Sequence, residues 1–196
     1  MVKIAIVGPE SSGKTTLAEA LMFHTGGMFV SEVAREYLDG LDRPYEEHDL
    51  LEIARSQFEL QGGSLDFARE HEAALGLTEV HKVRKLSRPI LHDTDILNIK
   101  IWSQEKYGRV DPEIEQMVRA MQYDYRFLCR PDIPWVPDPL RENPDDRERL
   151  FAIWERELQT YGFPYTIIEG PTREQRLRQA TNMVDVLLQA DRMHDR

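Results

Sequence analysis

A chain of 196 residues with 41% hydrophobic and 31% charged side chains can bury one sizeable core, and this balance excludes global disorder. The formal net charge of −10 argues against a general nucleic-acid binder, because neutralising phosphates takes a surplus of Lys and Arg. The lone Cys129 cannot form an internal disulfide, and there is no signal peptide and no apolar run near ~18 residues, so we expect a cytoplasmic protein with no membrane partner.

The run KIAIV at 3–7 is apolar, rich in β-branched residues and closed by Gly8, which is the pattern of a strand buried on both faces. Leu17, Ala18, Leu21 and Met22 then recur at helical spacing between Gly13 and His24, before Gly26-Gly27. MFVSEV at 28–33 reads as a second strand. Leu50, Leu51, Ile53, Ala54 and Phe58 predict a helix over 46–60 that Gly62-Gly63 interrupts, and the polar stretch 64–87 is again helix-compatible. A third strand is expected at 89–94, helices at 95–106 and 112–122, and a fourth strand at 125–129. Leu150, Phe151, Trp154 and Leu158 stripe a further helix, a fifth strand follows at 165–169, and 173–190 supplies the last helix. Strands alternating with helices indicate an α/β fold with a parallel sheet. A split near residue 130 would leave a C-terminal piece of roughly 60 residues, small for its own core, so one domain over 1–196 is expected. Five of the eleven prolines fall within 131–144, a linker-like composition, yet a helix and a strand still follow.

Gly8-Pro9-Glu10-Ser11-Ser12-Gly13-Lys14-Thr15 is an unbroken GxxxxGK[ST], followed by Thr16 and set between a predicted strand and a predicted helix. In such a loop the backbone N–H groups converge on phosphate at a helix N-terminus whose dipole favours negative charge. Lys14 would bridge the β- and γ-phosphates, and the Thr15 hydroxyl would coordinate Mg2+. A Gly-Ser turn capping a helix shares the composition but does not require that context. ATP and Mg2+ are therefore the expected cofactors, with residues 8–16 as the ATP-binding segment. No NKxD guanine-reading motif occurs, which disfavours a GTPase. Asp93, at the end of the third strand, is the candidate second metal ligand beside Thr15. Asp95 could hold a substrate hydroxyl, or could cap the next helix. Glu32, at the end of strand two, could accept a proton from an attacking hydroxyl; alternatively it is a surface glutamate paired with Arg35 at i,i+3. His71-Glu-Ala-Ala-Leu75 begins like a zinc HExxH but carries leucine where the second ligand belongs, and His92 reads as a core residue.

The stretches VGPESSGKTTLA, FVSEVAREYL, HDTDILNIKIWSQEKYGR and DIPWVPDPLRENPDDR lie in this order between residue 3 and about residue 180. Through them the sequence resembles the nicotinamide riboside kinase domain of bacterial NadR-type proteins. The resemblance implies a P-loop, nucleoside-kinase-like fold: a five-stranded parallel sheet in order 2-3-1-4-5, flanked by helices, with a helical substrate insert and an arginine lid near 135–150. It implies that ATP–Mg2+ phosphorylates the 5′-hydroxyl of nicotinamide riboside to the mononucleotide. A kinase of another nucleoside, or a slow or non-catalytic ATP sensor, is the alternative. The adenylyltransferase and helix-turn-helix parts of the family lie outside the matching stretches, so neither role is expected. The family's lid usually begins Asp-Gly; here Asp138-Pro139 stiffens the entry. Arg141 and Arg147 are the lid arginines expected to reach phosphate, the other reading being a solvated pair. A cationic aromatic ring suits an aromatic face, for which Trp135 is the first candidate and Tyr37 and Trp102 the next, with Trp154 assigned to the core. By analogy with nucleoside kinases Gln57 is the candidate for the substrate carboxamide, the other reading being a surface or core-edge glutamine. The expected partners are a small nucleoside and ATP; a homo-oligomer is not indicated.

Overall fold

The computed structural model describes residues 1–74 and 88–194. The chain runs β1 (Lys3–Val7), α1 (Lys14–Thr25), β2 (Met28–Val30), α2 (Ala34–Asp39), α3 (Glu47–Ala74), β3 (Ile90–Asp93), α4 (Ile96–Tyr107), α5 (Pro112–Ala120), β4 (Tyr125–Cys129), α6 (Arg147–Thr160), β5 (Tyr165–Ile168) and α7 (Arg173–His194). All five strands are parallel, in the order β2-β3-β1-β4-β5. This is the expected sheet.

Burial explains why the strands read as continuous apolar runs rather than alternating ones. Successive β1 side chains point to opposite faces, and both faces are covered. Ala5 and Val7 join Leu128 of β4 against Leu50 and Ile53 of α3, Leu97 of α4 and Trp154 of α6. Ile4 and Ile6 join Phe127 and Cys129 against Leu17 and Leu21 of α1 and Ala180 and Val184 of α7. Trp154 is thus a core residue, as its stripe predicts. Among the described residues no helix is long and apolar enough to cross a membrane.

Three boundaries differ from the sequence reading, each for a local reason. β2 ends at Val30, which pairs with His92, so Ser31, Glu32 and Val33 leave the sheet instead of extending the strand. β3 ends at Asp93 because Thr94 takes a positive φ of 72°, a conformation that no strand residue shares. α3 continues through Gly62 and Gly63, where an interruption is expected. Each glycine costs about 1 kcal/mol relative to alanine in a helix. That is outweighed by the contacts of the same turns, where Gln61, Ser64 and Ala68 are all buried. Residues 75–87 lie outside the described residues, and the HExxH-like stretch ends among them at Leu75.

The turn between α2 and α3 is fixed by a buried carboxylate. Asp49, fully buried, accepts from both terminal nitrogens of Arg43 at 2.7 and 2.8 Å, from the Tyr37 hydroxyl at 3.0 Å and from the Glu46 N–H at 2.7 Å. Tyr37 therefore has its hydroxyl committed to this turn, and it is not among the residues lining the cavity described below, where the sequence suggested an aromatic face for substrate. The Arg43 bonds hold the Asp49 carboxyl well below the usual carboxylate range, against the opposing effect of burial. A depressed folded-state value contributes stability above the unfolded value near ~3.9, and that contribution is lost as pH falls towards the folded value. Asp49→Asn is expected to lower unfolding free energy by about 1.5–3 kcal/mol at pH 7. Urea titrations at neutral and acidic pH should show the gap from the parent chain narrowing as the solution is acidified.

Candidate functional site

The loop between β1 and α1 is shaped by two glycines. At Gly8 φ is 136°, and a Cβ there would stand 2.6 Å from the Cys129 carbonyl oxygen, so only glycine lets the loop leave β1 while pressed against β4. Gly13, at φ 83°, caps α1, and a Cβ on it would come within 3.1 Å of Ile133 Cδ1. Lys14 folds back over the loop, its Nζ donating to the carbonyls of Gly8 and Pro9 at 3.0 Å each. Thr15 Oγ1 donates to Asp93 Oδ2 at 2.6 Å. The other Asp93 oxygen and Ser12 Oγ are buried without a hydrogen-bond partner. Burial pushes the Asp93 carboxyl up, while the Thr15 bond and the charge of Lys14 pull it down. A hydroxyl beside a carboxylate with an uncommitted oxygen is a hard-oxygen donor set of the kind Mg2+ takes together with phosphate oxygens.

The loop is clamped from behind by Arg176 of α7. Its Nε donates to the Gly170 carbonyl at 2.7 Å, Nη1 to that of Ser12 at 2.7 Å, and Nη2 to that of Arg130 at 2.6 Å and to the Asp132 carboxylate. Sequence reasoning missed this residue, although a signal existed. Arg176 stands at the head of the i,i+4 row Ala180, Val184, Leu188, all buried, and a cation on an apolar stripe calls for a buried partner.

A cavity of about 450 Å3 opens from the loop. Glu32, Asp93, Asn98, Trp102, Glu105 and Arg141 are among its lining residues. Glu32 Oε1 accepts from Asn98 Nδ2 at 3.2 Å. Burial raises the Glu32 carboxyl above its ordinary value; Asp93 adds to this, and Lys14 and Arg35 oppose it. The alternative pairing of Glu32 with Arg35 is not made, because Arg35 Nη2 reaches Asp138 at 2.8 Å. Asn98, one turn into α4, is a second residue the sequence did not single out; its place just after HDTD is the only signal for it.

Of the aromatic candidates, Trp102 does line the cavity, its Nε1 donating to the Tyr45 hydroxyl at 3.0 Å. Trp135 does not. It lies outside the cavity, 5.9 Å from the Arg141 guanidinium and 5.6 Å from that of Arg147, so the expected substrate face is instead packed on the two arginines. Gln57 is also out of reach, 1% exposed and hydrogen-bonded to the backbone of residues 31 and 33, which removes it as a carboxamide ligand. Asp95 caps α4, one oxygen accepting from Leu97 N–H at 3.0 Å and the other from Arg126 Nε at 2.9 Å. With both partners 2% exposed, this carboxylate is inside the fold and faces no substrate.

Residues 138–146 lie over the loop. Asp138-Pro139-Leu140-Arg141 forms a turn closed by Arg141 N–H to the Asp138 carbonyl at 3.0 Å, with Leu140 N–H on the Asp138 carboxylate at 3.0 Å. Asp at the first position and Pro at the second is the preferred chemistry of a type I turn, so Pro139 suits the place it occupies. Arg141 lines the cavity and donates to Ser11 Oγ at 3.4 Å and to the Val136 carbonyl. Arg147, the first residue of α6, instead donates to the carbonyls of Ser11 and Ile133 at 3.2 and 3.1 Å and is not among the lining residues. Glu10 accepts from the N–H groups of Glu142, at 3.1 Å, and Asn143.

The family described as an AAA domain matches residues 3–176, and the chain belongs to that family. Two curated relatives are both trifunctional NAD biosynthesis/regulator proteins NadR. That of Escherichia coli (strain K12) is 23% identical over 191 residues, which cover 92% of this chain and 41% of the relative. That of Salmonella typhimurium (strain LT2) is 26% identical over 146 residues, covering 70% of this chain and 30% of the relative. The chain thus spans less than half the length of either, and the resemblance to NadR-type proteins is borne out at a distance. A NadR protein in complex with NR superposes with a TM-score of 0.66 at 18% identity, over 94% of this chain and 50% of that one. Thymidylate kinase from Ehrlichia chaffeensis gives 0.54 at 16% identity, over 95% of this chain and 98% of that one. Deoxyadenosine kinase from M. mycoides with bound dATP gives 0.51 at 15%, over 94% of this chain and 100% of that one. At these identities the likeness establishes the fold, a P-loop fold of the nucleoside-kinase kind.

The placement of Asp95 has a direct consequence. Removing one member of a buried ion pair strands the other, at about 3–5 kcal/mol. Asp95→Ala is expected to lose that much in urea unfolding; a substrate-ligand role would instead leave stability nearly unchanged.

Proposed function

We propose that this AAA-domain family member is an ATP- and Mg2+-dependent kinase acting on the 5′-hydroxyl of a nucleoside, nicotinamide riboside foremost, as one cytoplasmic domain over residues 1–196 with no nucleic-acid partner. The observation that carries the reading is that Glu32 and the Thr15–Asp93 pair line one cavity, both within electrostatic reach of Lys14. A nucleotide sensor needs the second half of that arrangement only. A recessed carboxylate with a raised pKa beside a phosphate-binding loop is the equipment for taking a proton from an attacking hydroxyl.

In this mechanism the backbone N–H groups of residues 8–16 hold the phosphates of ATP, and Lys14 exchanges its loop carbonyls for β- and γ-phosphate oxygens. Thr15 and Asp93 would hold Mg2+, which would supply charge neutralisation at the γ-phosphoryl group. Glu32 accepts the proton of the 5′-hydroxyl while the hydroxyl oxygen forms the new bond to the γ-phosphorus. The bond from that phosphorus to the β–γ bridging oxygen breaks, and ADP leaves. Arg141, on the cavity wall, neutralises charge on the transferring group, whereas Arg147 acts one step back by holding the Ser11 carbonyl of the loop.

Taken over its whole wall, the cavity favours a cation. Glu10, Glu19, Glu32, Asp93, Glu105 and Glu142 line the cavity against Lys14, Arg35 and Arg141. Arg149 and Lys106 stand behind Glu105 and Glu142, at 2.5 and 2.8 Å, and weaken the excess without reversing it. A pyridinium ring beside Trp102 would gain from both the acidic field and the aromatic face. The resemblance to NadR, and the NR-bound NadR structure with the same fold, support the same choice.

Incubating a panel of nucleosides with ATP–Mg2+ and separating products by chromatography tests this. Nicotinamide riboside is expected to be phosphorylated in preference to its uncharged dihydropyridine form, and Lys14→Ala to abolish turnover; if no nucleoside yields a monophosphate, the kinase reading is wrong. Arg141→Ala is expected to lose about 2–4 kcal/mol of transition-state stabilisation in kcat, with a smaller effect on ATP binding. Because Glu32 must be ionised to accept a proton and its pKa is raised, kcat/KM is expected to rise with pH along a limb lying above the ordinary glutamate range. That limb should be absent from whatever activity Glu32→Gln retains.

A further inference from the structure

α3 carries two buried amides one helical turn apart, Gln57 at 1% and Gln61 at 0% exposure. Spacing of i,i+4 puts them on one face, and that face meets the two strand ends that carry the cavity's carboxylates. Gln61 Nε2 donates to the Thr94 carbonyl at 3.1 Å, and its Oε1 accepts from the Tyr123 hydroxyl at 2.6 Å. It thereby braces the positive-φ turn that follows Asp93. Gln57 does the equivalent for the other strand end. Its Oε1 accepts from Val33 N–H at 2.7 Å, and its Nε2 donates to the Ser31 carbonyl at 3.3 Å.

The two peptide groups that Gln57 joins flank Glu32. They lie past the last β2–β3 pairing, Val30 with His92, where no ladder holds the chain. A side-chain amide suits this place because it donates and accepts at once. Its bonds fix the backbone from both sides, and the Glu32 side chain, steadied by Asn98, follows. We propose that Gln57 is a positioning residue for phosphoryl transfer: by bridging the peptides on either side of Glu32 it sets where that carboxylate stands, without touching substrate. The inference rests on the kinase reading and on Glu32 as the proton acceptor.

Gln57→Met keeps the volume and deletes both bonds. The released Ser31 carbonyl and Val33 N–H face a buried side chain, at a cost of about 1–3 kcal/mol each, so urea unfolding of the variant accompanies its kinetics. Steady-state kinetics of the parent chain, Gln57→Met, Glu32→Gln and the double variant make the test. Displacing a reacting group by about 1 Å costs on the order of 100-fold, so Gln57→Met is expected to lower kcat by roughly 10- to 100-fold with ATP affinity within about twofold. The double variant should be no slower than Glu32→Gln alone, since a residue acting through Glu32 has nothing left to position. Parental kcat in Gln57→Met, or losses that multiply in the double variant, would overturn the proposal. Should Gln57→Met fail to fold, Gln57→Glu serves. A protonated carboxyl there reproduces both bonds and an ionised one loses its donor, so kcat relative to the parent should fall with rising pH; a flat ratio sinks the idea. A parent chain that phosphorylates no nucleoside brings down the kinase reading itself, whereas an active parent indifferent to Gln57 brings down this inference alone.

Discussion

The hydrogen bond from Thr15 to Asp93 exists because β1 and β3 are parallel neighbours in one register, with Ile6 beside Asp93. Parallel strands bring their carboxyl ends to the same edge of the sheet, so the loop after β1 and the carboxylate ending β3 meet there without further arrangement. Ligand crevices of open α/β sheets lie at this edge for the same reason. The chain must then turn sharply before α4 can cross back. Thr94 makes that turn at φ 72°, held by its N–H on the Ile6 carbonyl at 2.9 Å and by Gln61 on its own carbonyl. A branched residue in the left-handed region is strained, by about 1–3 kcal/mol, and persists where its surroundings over-determine it. Here a strand, a buried amide and a capped helix do so together.

Asp95 completes that lock. Two residues beyond Asp93 its side chain faces the opposite way, into the interior, capping α4 and binding Arg126 of β4. The guanidinium of Arg126 lies 3.7 Å from the centre of the Phe163 ring, which shields the pair from water. The three residues of the DTD stretch therefore divide the work between cavity, turn and core, and only the first faces the site.

That division marks the limit of what the sequence could reveal. The phosphate loop was legible because its chemistry is local: two glycines, a lysine and a hydroxyl at fixed spacing between a strand and a helix. The strands were legible because burial on both faces leaves continuous apolar runs, and their order came with the resemblance. Asp95 does cap α4, one of its two readings, but its substrate reading and those of Tyr37 and Gln57 failed for one reason. A polar residue near a site motif reads the same whether it serves a ligand or a buried backbone, and the deciding partner can lie far along the chain. Asp95 needs Arg126, 31 positions away, and Gln57 needs Val33, 24 away. Trp135 failed differently, since prolines told that it was held but not which way it faced. Arg176, by contrast, broke an apolar row that could have been read.

The two sides of the cavity are held by forces of different size. The loop side rests on buried backbone contacts, the Arg176 clamp and the sheet itself, where each unsatisfied group would cost about 1–3 kcal/mol. The segment over the loop rests on partners near the surface. Arg35, which binds Asp138, is 54% exposed, and the Lys106–Glu142 pair is 33% and 47% exposed. Such pairs are worth about 0–1 kcal/mol each. Opening that segment would exchange these pairs, and the bonds of Glu142 and Asn143 N–H to the Glu10 carboxylate, for hydration, while opening the loop would expose the core. In the proposed kinase, which would admit two ligands and release two products, this asymmetry would let the groups that fix phosphate stay put while the cover over them opens.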